Sequence, residues 1–255
     1  SSSDTLLGLS YRLWAFLFVL IGFAIKLPAV PIHTWLPDAH VEAPTPISVV
    51  LAGILLKIGG YGFYRIAYSI FPEGAHYFGW WIGLFGIIAI IYGALVAMAQ
   101  SDLKRLIAYS SVSHMGFVML GLAAITTQSI AGSIFQMFSH GLISVALFLI
   151  AGVIYDRTKD REISNYSGLA AAMPYFTVIV LITFFASLGL PGFSGFIAEF
   201  LVLAGAFDGA MSSKVIDTFM PIVGVLGLVL GAAYFLWTFQ RMFFGKYWIK
   251  NEEWK

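Results

Sequence analysis

The chain has 255 residues, of which 60% are hydrophobic and 11% charged, with a net charge of +1 and a mean hydropathy of +0.89. Soluble domains are far more charged, so soluble, disordered and nucleic-acid-binding readings fail; without cysteine, so do disulfide scaffolds, thiolate metal sites and iron–sulfur ligation. Long runs that are apolar all round, with no alternation of apolar and polar residues, exclude a membrane barrel and leave an all-α polytopic membrane protein.

The chain starts Ser1-Ser2-Ser3-Asp4, with neither Met nor a signal-peptide pattern, and reads as an internal piece of a longer one. A bilayer core about 30 Å thick takes roughly 20 helical residues. Seven segments fit: Ser10–Lys26, Ile47–Ile70, Phe78–Ala99, Leu103–Ile125, Ser129–Tyr155, Pro174–Phe207 and Val215–Gly245. Proline-rich Leu27–Pro46 follows the first span, and Pro72 closes the second. Ser101-Asp102 is placed to cap the fourth. The charged run Asp156–Glu162 ends the fifth and reads as a solvated loop, and residues 246–255 form a polar tail. Trp14, Trp80, Trp81, Trp248 and Trp254 near span ends read as interfacial anchors. Gly79-x3-Gly83 and Gly227-x3-Gly231 read as helix-packing signals.

Lysines and arginines divide unequally between the two sides. Lys104, Arg105, Arg157, Lys159, Arg161, Arg241, Lys246, Lys250 and Lys255 lie on one, and Arg12, Arg65 and Lys214 on the other. The positive-inside rule then puts Ser1 outside and Lys255 in the cytoplasm.

Two spans are broken. The first runs into Lys26-Leu27-Pro28-Ala29-Val30-Pro31 and resumes as the amphipathic Ile32–Ala43. The sixth carries Gly189-Leu190-Pro191-Gly192 in its middle. Proline removes a backbone donor, and carbonyls freed at membrane depth are tolerated only against protein or a wet cavity. One such break is explained by packing alone; two, each beside a charged residue, point to transport.

Lys26, Lys57, His114, His140 and Glu199 are the ionisable residues predicted near the membrane midplane, Lys57, His114 and His140 each about 15 Å into its span at 1.5 Å per residue. An ionisable group there costs at least ~2.5–3.5 kcal/mol and lines an interior path or pairs with another. A lone histidine could be a core residue bonded to a hydroxyl, and a shallow lysine could snorkel, but Lys57 is too deep for that. A row of two lysines, two histidines and a glutamate suits proton transfer, since burial disfavours the charged forms of Lys and Glu and His titrates near neutrality. Tyr109, Ser110, Ser111, Ser113, Ser139 and Ser144 could link the stations. No metal site is expected, because the two histidines sit on different spans and no thiolate or paired carboxylate joins them. Phosphate-binding loops, dinucleotide fingerprints and nucleophile elbows are absent from the sequence.

The stretch Lys26-Leu27-Pro28-Ala29-Val30-Pro31-Ile32-His33-Thr34-Trp35-Leu36-Pro37-Asp38-Ala39-His40-Val41-Glu42-Ala43-Pro44 resembles the signature of the antiporter-like subunits of respiratory complex I. Leu51-Ala52-Gly53-Ile54-Leu55-Leu56-Lys57 continues the resemblance, as does the run from Ser101 to Gly116 that contains Tyr109-Ser110-Ser111-Val112-Ser113-His114. The resemblance implies an inverted-repeat antiporter-like fold. Residues 10–70 would be the end of the first repeat and 78–245 the second, the seven spans being family helices seven to thirteen. It implies that Lys26 sits at one helix break and pairs with a glutamate on a helix outside this chain. It further implies that Lys57 is a central lysine, that His114 and His140 are connecting histidines, and that Glu199 is the ionisable residue of the second broken helix. There most sister subunits carry Lys. The implied function is proton translocation in a redox-driven NADH:quinone oxidoreductase. No cofactor is expected in this chain, with NADH, FMN, iron–sulfur clusters and quinone in partner subunits. Expected partners are other membrane subunits, sister antiporter-like ones included, and the lipid bilayer. The alternatives are an Mrp-type cation/proton antiporter without redox partners and a non-transporting structural subunit.

Overall fold

The computed structural model describes residues 5–6 and 9–250. Expectations for Ser1–Asp4 and for Trp254 and the end of the tail lie outside the described residues. Nine helices carry the described architecture: α1 Tyr11–Lys26, α2 Trp35–Glu42, α3 Thr45–Tyr68, α4 Pro72–Met98, α5 Leu103–Ala124, α6 Thr127–Thr158, α7 Pro174–Ser187, α8 Ser194–Ser212 and α9 Phe219–Phe243. The expected spans map onto these helices, α1 with α2 at the broken first and α7 with α8 at the broken sixth. Among the described residues six helices, α3, α4, α5, α6, α8 and α9, are each long and apolar enough to cross a membrane, whereas α1 and α7, with 16 and 14 residues, are shorter.

Local chemistry sets the boundaries. Ser10 caps α1, its hydroxyl accepting from Leu13 N–H. Asp102 caps α5 by accepting from Arg105 N–H at 3.1 Å. Thr126 and Ser129 form a reciprocal capping box at the start of α6. The second span ends just before Pro72, as expected, and Pro72 also opens α4 at its first turn, where a missing N–H costs nothing. Inside α3, Leu51–Leu55 and Phe63–Tyr68 widen to i→i+5 turns, a geometry that occurs mostly as short bulges, often at functional sites.

Helix α5 is innermost, 94% of its apolar window being buried against 39–56% for the other spans. It packs on α4 backbone to backbone: a Cβ on Gly116 would stand 2.7 Å from the Gly86 carbonyl oxygen, so only glycine permits this approach. The apolar core falls into two clusters. One holds Phe16, Phe63, Met115, Met137 and Val202, the other Ala52, Ile107, Leu147, Phe148 and Phe184. The level of Ser110–His114 on α5 and of Ser139–Ser144 on α6 separates them, so a polar belt crosses the middle of the bundle.

One end of the bundle is tied together by charge. Arg161 pairs with Asp102 at 3.2 Å and donates to the Val41 carbonyl at 2.8 Å. Lys104 donates to the Ala43 carbonyl at 3.0 Å, and Arg105 reaches Asp38 at 3.2 Å. The run 156–162 keeps Asp156, Arg157 and Lys159 exposed, as expected of a solvated segment, but it begins as the last turn of α6 and is anchored at its far end, since Leu103 N–H donates to the Arg161 carbonyl and Ile163 N–H to the Ser101 carbonyl. Its charges close the exposed ends of α2 and α5. The start of the tail is also tied: β2 (Trp248–Ile249) pairs antiparallel with β1 (Tyr166–Ser167) at the same end.

Candidate functional site

The two helix breaks bring polar groups into the belt. Helix α1 ends at Lys26, and the Ile25 carbonyl freed there accepts from the Trp35 indole N–H at 2.9 Å. The turns through Pro28 and Pro31 thereby lose little hydrogen bonding, as membrane depth requires. In the second break α7 stops at Ser187 and α8 starts at Ser194, with Gly189 and Gly192 in the left-handed region at φ +69° and +103°. Pro191 lies between them. This break delivers Ser187, Ser194 and Glu199 to the belt.

Four of the five predicted ionisable residues meet there in one line. Lys57 Nζ is 2.8 Å from His140 Nδ1, and it also donates to the Ala52 carbonyl, within the widened turn that precedes it. The His140 and His114 ring centroids are 5.3 Å apart. His114 Nδ1 is 3.2 Å from Glu199 Oε1. The order is therefore Lys57–His140–His114–Glu199. Glu199 faces His114 on α5, not His140 on α6, because α8 packs so that its second turn looks onto α5. Lys26 stands apart: it is exposed at the end of α1 and makes no hydrogen bond or ion pair among the described residues.

Burial differs along the line. His140 and His114 are 5% and 8% exposed and Glu199 is 3% exposed. Lys57 lines an open groove of about 570 Å³ between α3 and α6, and Glu199 lines a cavity of about 360 Å³ beside the second break. Each end of the line thus borders a space that neither histidine lines, although Glu199 itself is as buried as the histidines. Gly189 makes room for the carboxylate, since a Cβ there would lie 2.2 Å from Glu199 Oε2.

The expected linking hydroxyls divide. Ser139 bonds Ser194 at 2.7 Å, joining α6 to the start of α8. Ser110 and Ser111 donate to the Ile107 carbonyl, Ser113 to that of Ile90 and Ser144 to that of Gly141. These four are held by backbone, yet each keeps acceptor capacity. Tyr109 is half-buried against His33, away from the line.

Sequence reasoning missed Gln136 and Ser187. Gln136 Nε2 lies 3.4 Å from His114 Nδ1, and Ser187 Oγ lies 3.4 Å from His114 Nε2. When Nδ1 carries a proton it donates to Glu199; when it has lost it, it accepts from the Gln136 amide. Each protonation state of His114 therefore has a partner in place. A glutamine four residues before His140 was the available signal, at helical spacing on one face. His33 and His40 were also passed over as parts of a signature. Both are buried, 3% and 0% exposed, with all four ring nitrogens lacking a partner among the described residues. Among the described residues no group of three or more His, Asp or Glu could hold a metal ion.

Comparison with known proteins gives the family and the fold. A profile of the family described as NADH:quinone oxidoreductase/Mrp antiporter, transmembrane, matches residues 3–227. The chain is 50% identical to NADH-quinone oxidoreductase subunit M of Rhodobacter capsulatus, over 91% of this chain and 44% of that protein. It is 49% identical to NADH-ubiquinone oxidoreductase chain 4 of Marchantia polymorpha, over 92% of this chain and 46% of that one. The chain thus spans less than half the length of these curated relatives. In structure it superposes on a chain of respiratory complex I from Thermus thermophilus with a TM-score of 0.85 at 37% identity, covering 92% of this chain and 49% of that one. It superposes on a chain of the Mrp complex from Dietzia with a TM-score of 0.84 at 27% identity, covering 92% and 42%.

Proposed function

The chain belongs to the NADH:quinone oxidoreductase/Mrp antiporter transmembrane family, and from that premise we propose that it is the core of a proton-translocating membrane subunit of a redox-driven NADH:quinone oxidoreductase. The observation that carries the proposal is the line Lys57–His140–His114–Glu199, in which each member has the next within a bond or a short ring-to-ring step. Buried ionisable groups of this kind mark ion and proton paths. A proton held by Lys57 passes to His140, crosses to His114 and is taken by Glu199, whose release toward the neighbouring cavity resets the line. The two buried histidines keep bulk water from short-circuiting the two ends.

The complex I reading is favoured over the Mrp-type antiporter by identities of 46–50% with relatives named as subunit M or chain 4. A glutamate in place of lysine at position 199 supports the same choice. On this reading the chain contributes no redox chemistry of its own. Having no cysteine, it offers no thiolate for iron–sulfur ligation; on this reading NADH, FMN, iron–sulfur clusters and quinone belong to partner subunits. Its partners are other membrane subunits, sister antiporter-like ones among them. The membrane is the energy-transducing one, in bacteria the inner membrane. The end carrying Lys104, Arg105, Arg157 and Arg161 faces the cytoplasm.

The test is Lys57→Ala and Lys57→Arg in the assembled complex, with proton uptake by inverted vesicles measured alongside donor oxidation. Both variants are expected to assemble and to stop pumping, Ala because the first station is gone, Arg because a guanidinium stays protonated. Normal pumping by Lys57→Arg contradicts a protonation cycle at this site, and sodium-dependent exchange without redox partners would favour the antiporter reading.

A further inference from the structure

The line needs a supply of protons, and the fold contains a second, shorter polar route that reaches it from the positively charged end. A polar cavity of about 320 Å³ opens there, lined by Glu42, Ala43, Thr45, Lys104, Asp156 and Arg161. Residues 41–43, directly after His40, form part of its wall. His40 itself lies behind that wall and is 0% exposed. Its ring stacks on Phe148 of α6, centroids 4.2 Å apart at 12°, and its carbonyl accepts from the Ser48 hydroxyl at 3.1 Å. Both ring nitrogens lack a partner among the described residues.

Helix geometry bridges the rest. Phe148, Ser144 and His140 follow one another at four-residue spacing on one face of α6, so about 12 Å separates His140 from Phe148 at 1.5 Å per residue. Ser144 is buried midway, its hydroxyl donating to the Gly141 carbonyl and free to accept. A buried imidazole with no protein partner on either nitrogen is uncommon, because unmade hydrogen bonds at buried groups are costly. Phe148 satisfies the ring face only. The two nitrogens suit water on either side.

We propose that His40 is the intake station of this protein, carrying protons from the cavity at Lys104 and Glu42 to Lys57 and His140. Water admitted from the cavity past residues 41–43 passes a proton to one ring nitrogen while the other releases its proton to water on the Ser144 side. Rotation or tautomer exchange restores the ring, and no other bond is made or broken. Phe148 holds the imidazole plane in register, and the clamp of Lys104 and Arg161 on the end of α2 keeps the station beside the cavity. The inference rests on reading the chain as a proton translocator.

The experiment uses the intact subunit in its assembled complex, with three variants: His40→Phe, His40→Ala and, as reference, Lys57→Ala. Phe keeps the stack on Phe148 and cannot carry a proton; Ala leaves a space the size of an imidazole. Proton uptake per donor oxidised is expected to fall by about tenfold or more in both His40 variants, the scale of losing a positioned proton carrier. Millimolar imidazole is expected to restore pumping to His40→Ala, and pyrazole, of like shape but unable to take a proton near neutrality, is not. Wild-type pumping by either His40 variant overturns the proposal, as does equal rescue by the two azoles, which would make His40 a packing residue. If His40→Phe does not assemble, the azole comparison on His40→Ala decides alone. Normal pumping by Lys57→Ala overturns the translocator reading itself. Loss in Lys57→Ala with none at His40 overturns only the intake.

Discussion

Gly189→Ala tests whether the second break exists to seat a carboxylate. The backbone there is at φ +69°, where a residue with a Cβ costs roughly 1–2 kcal/mol. The added Cβ would stand 2.2 Å from Glu199 Oε2. Ordinary carbon–oxygen contact begins near 3.3 Å, so the carboxylate must retreat by about 1 Å. Its 3.2 Å contact with His114 Nδ1 then opens to about 4 Å, beyond hydrogen-bonding range. Losing a hydrogen bond to a charged group adds about 1.5–3 kcal/mol, for a total of about 2.5–5 kcal/mol. Proton uptake in inverted vesicles is expected to fall by at least about tenfold, and the melting temperature of the solubilised complex to drop. The shorter side chain of Glu199→Asp withdraws from Gly189, so in that background Gly189→Ala should cost only its backbone share. Additive costs within about 0.5 kcal/mol, or wild-type pumping by Gly189→Ala, would refute the argument.

Other outcomes follow from the same geometry. Glu199→Gln keeps shape and hydrogen bonding but cannot exchange a proton, so the complex should assemble and stop pumping; full pumping removes Glu199 from the path. Glu199→Asp should retain part of the activity, and partial function of Glu199→Lys would show that an exchangeable proton matters more than a negative charge. Gln136→Leu leaves His114 without its acceptor-state partner and should slow pumping while donor binding is unchanged; an unaltered rate confines Gln136 to packing. Arg161→Ala loses the pair with Asp102 and the bond to Val41, a part-exposed contact worth on the order of 1 kcal/mol. It should lower the melting temperature by a few degrees without abolishing transport, and an unchanged melt would show that the end of α2 is held by other contacts.

Much of this protein is written locally. Apolar runs of bilayer length, set off by caps such as Asp102 and Thr126, determine helices whatever surrounds them, because a backbone in hydrocarbon must satisfy itself. Pro28 and Pro31 dictate the first break, and Pro191 with Gly189 and Gly192 the second, for the same reason. The depth of Lys57, His114, His140 and Glu199 follows from counting residues along a helix of fixed rise.

What the sequence does not contain is rotation of one helix against another. The order along the line depended on it: α8 turns Glu199 toward His114, and α6 turns His140 toward Lys57, neither of which helical spacing reveals. The same freedom decided that Gln136 and Ser187 reach His114, and that the charged run after α6 is fastened to α2 and α5. Tertiary packing alone decided these matters because they depend on close approaches between distant segments. The Cβ of residue 116 has no room beneath the Gly86 carbonyl, and that of residue 189 none beside Glu199. Such contacts set which faces meet, and so which buried charges become neighbours.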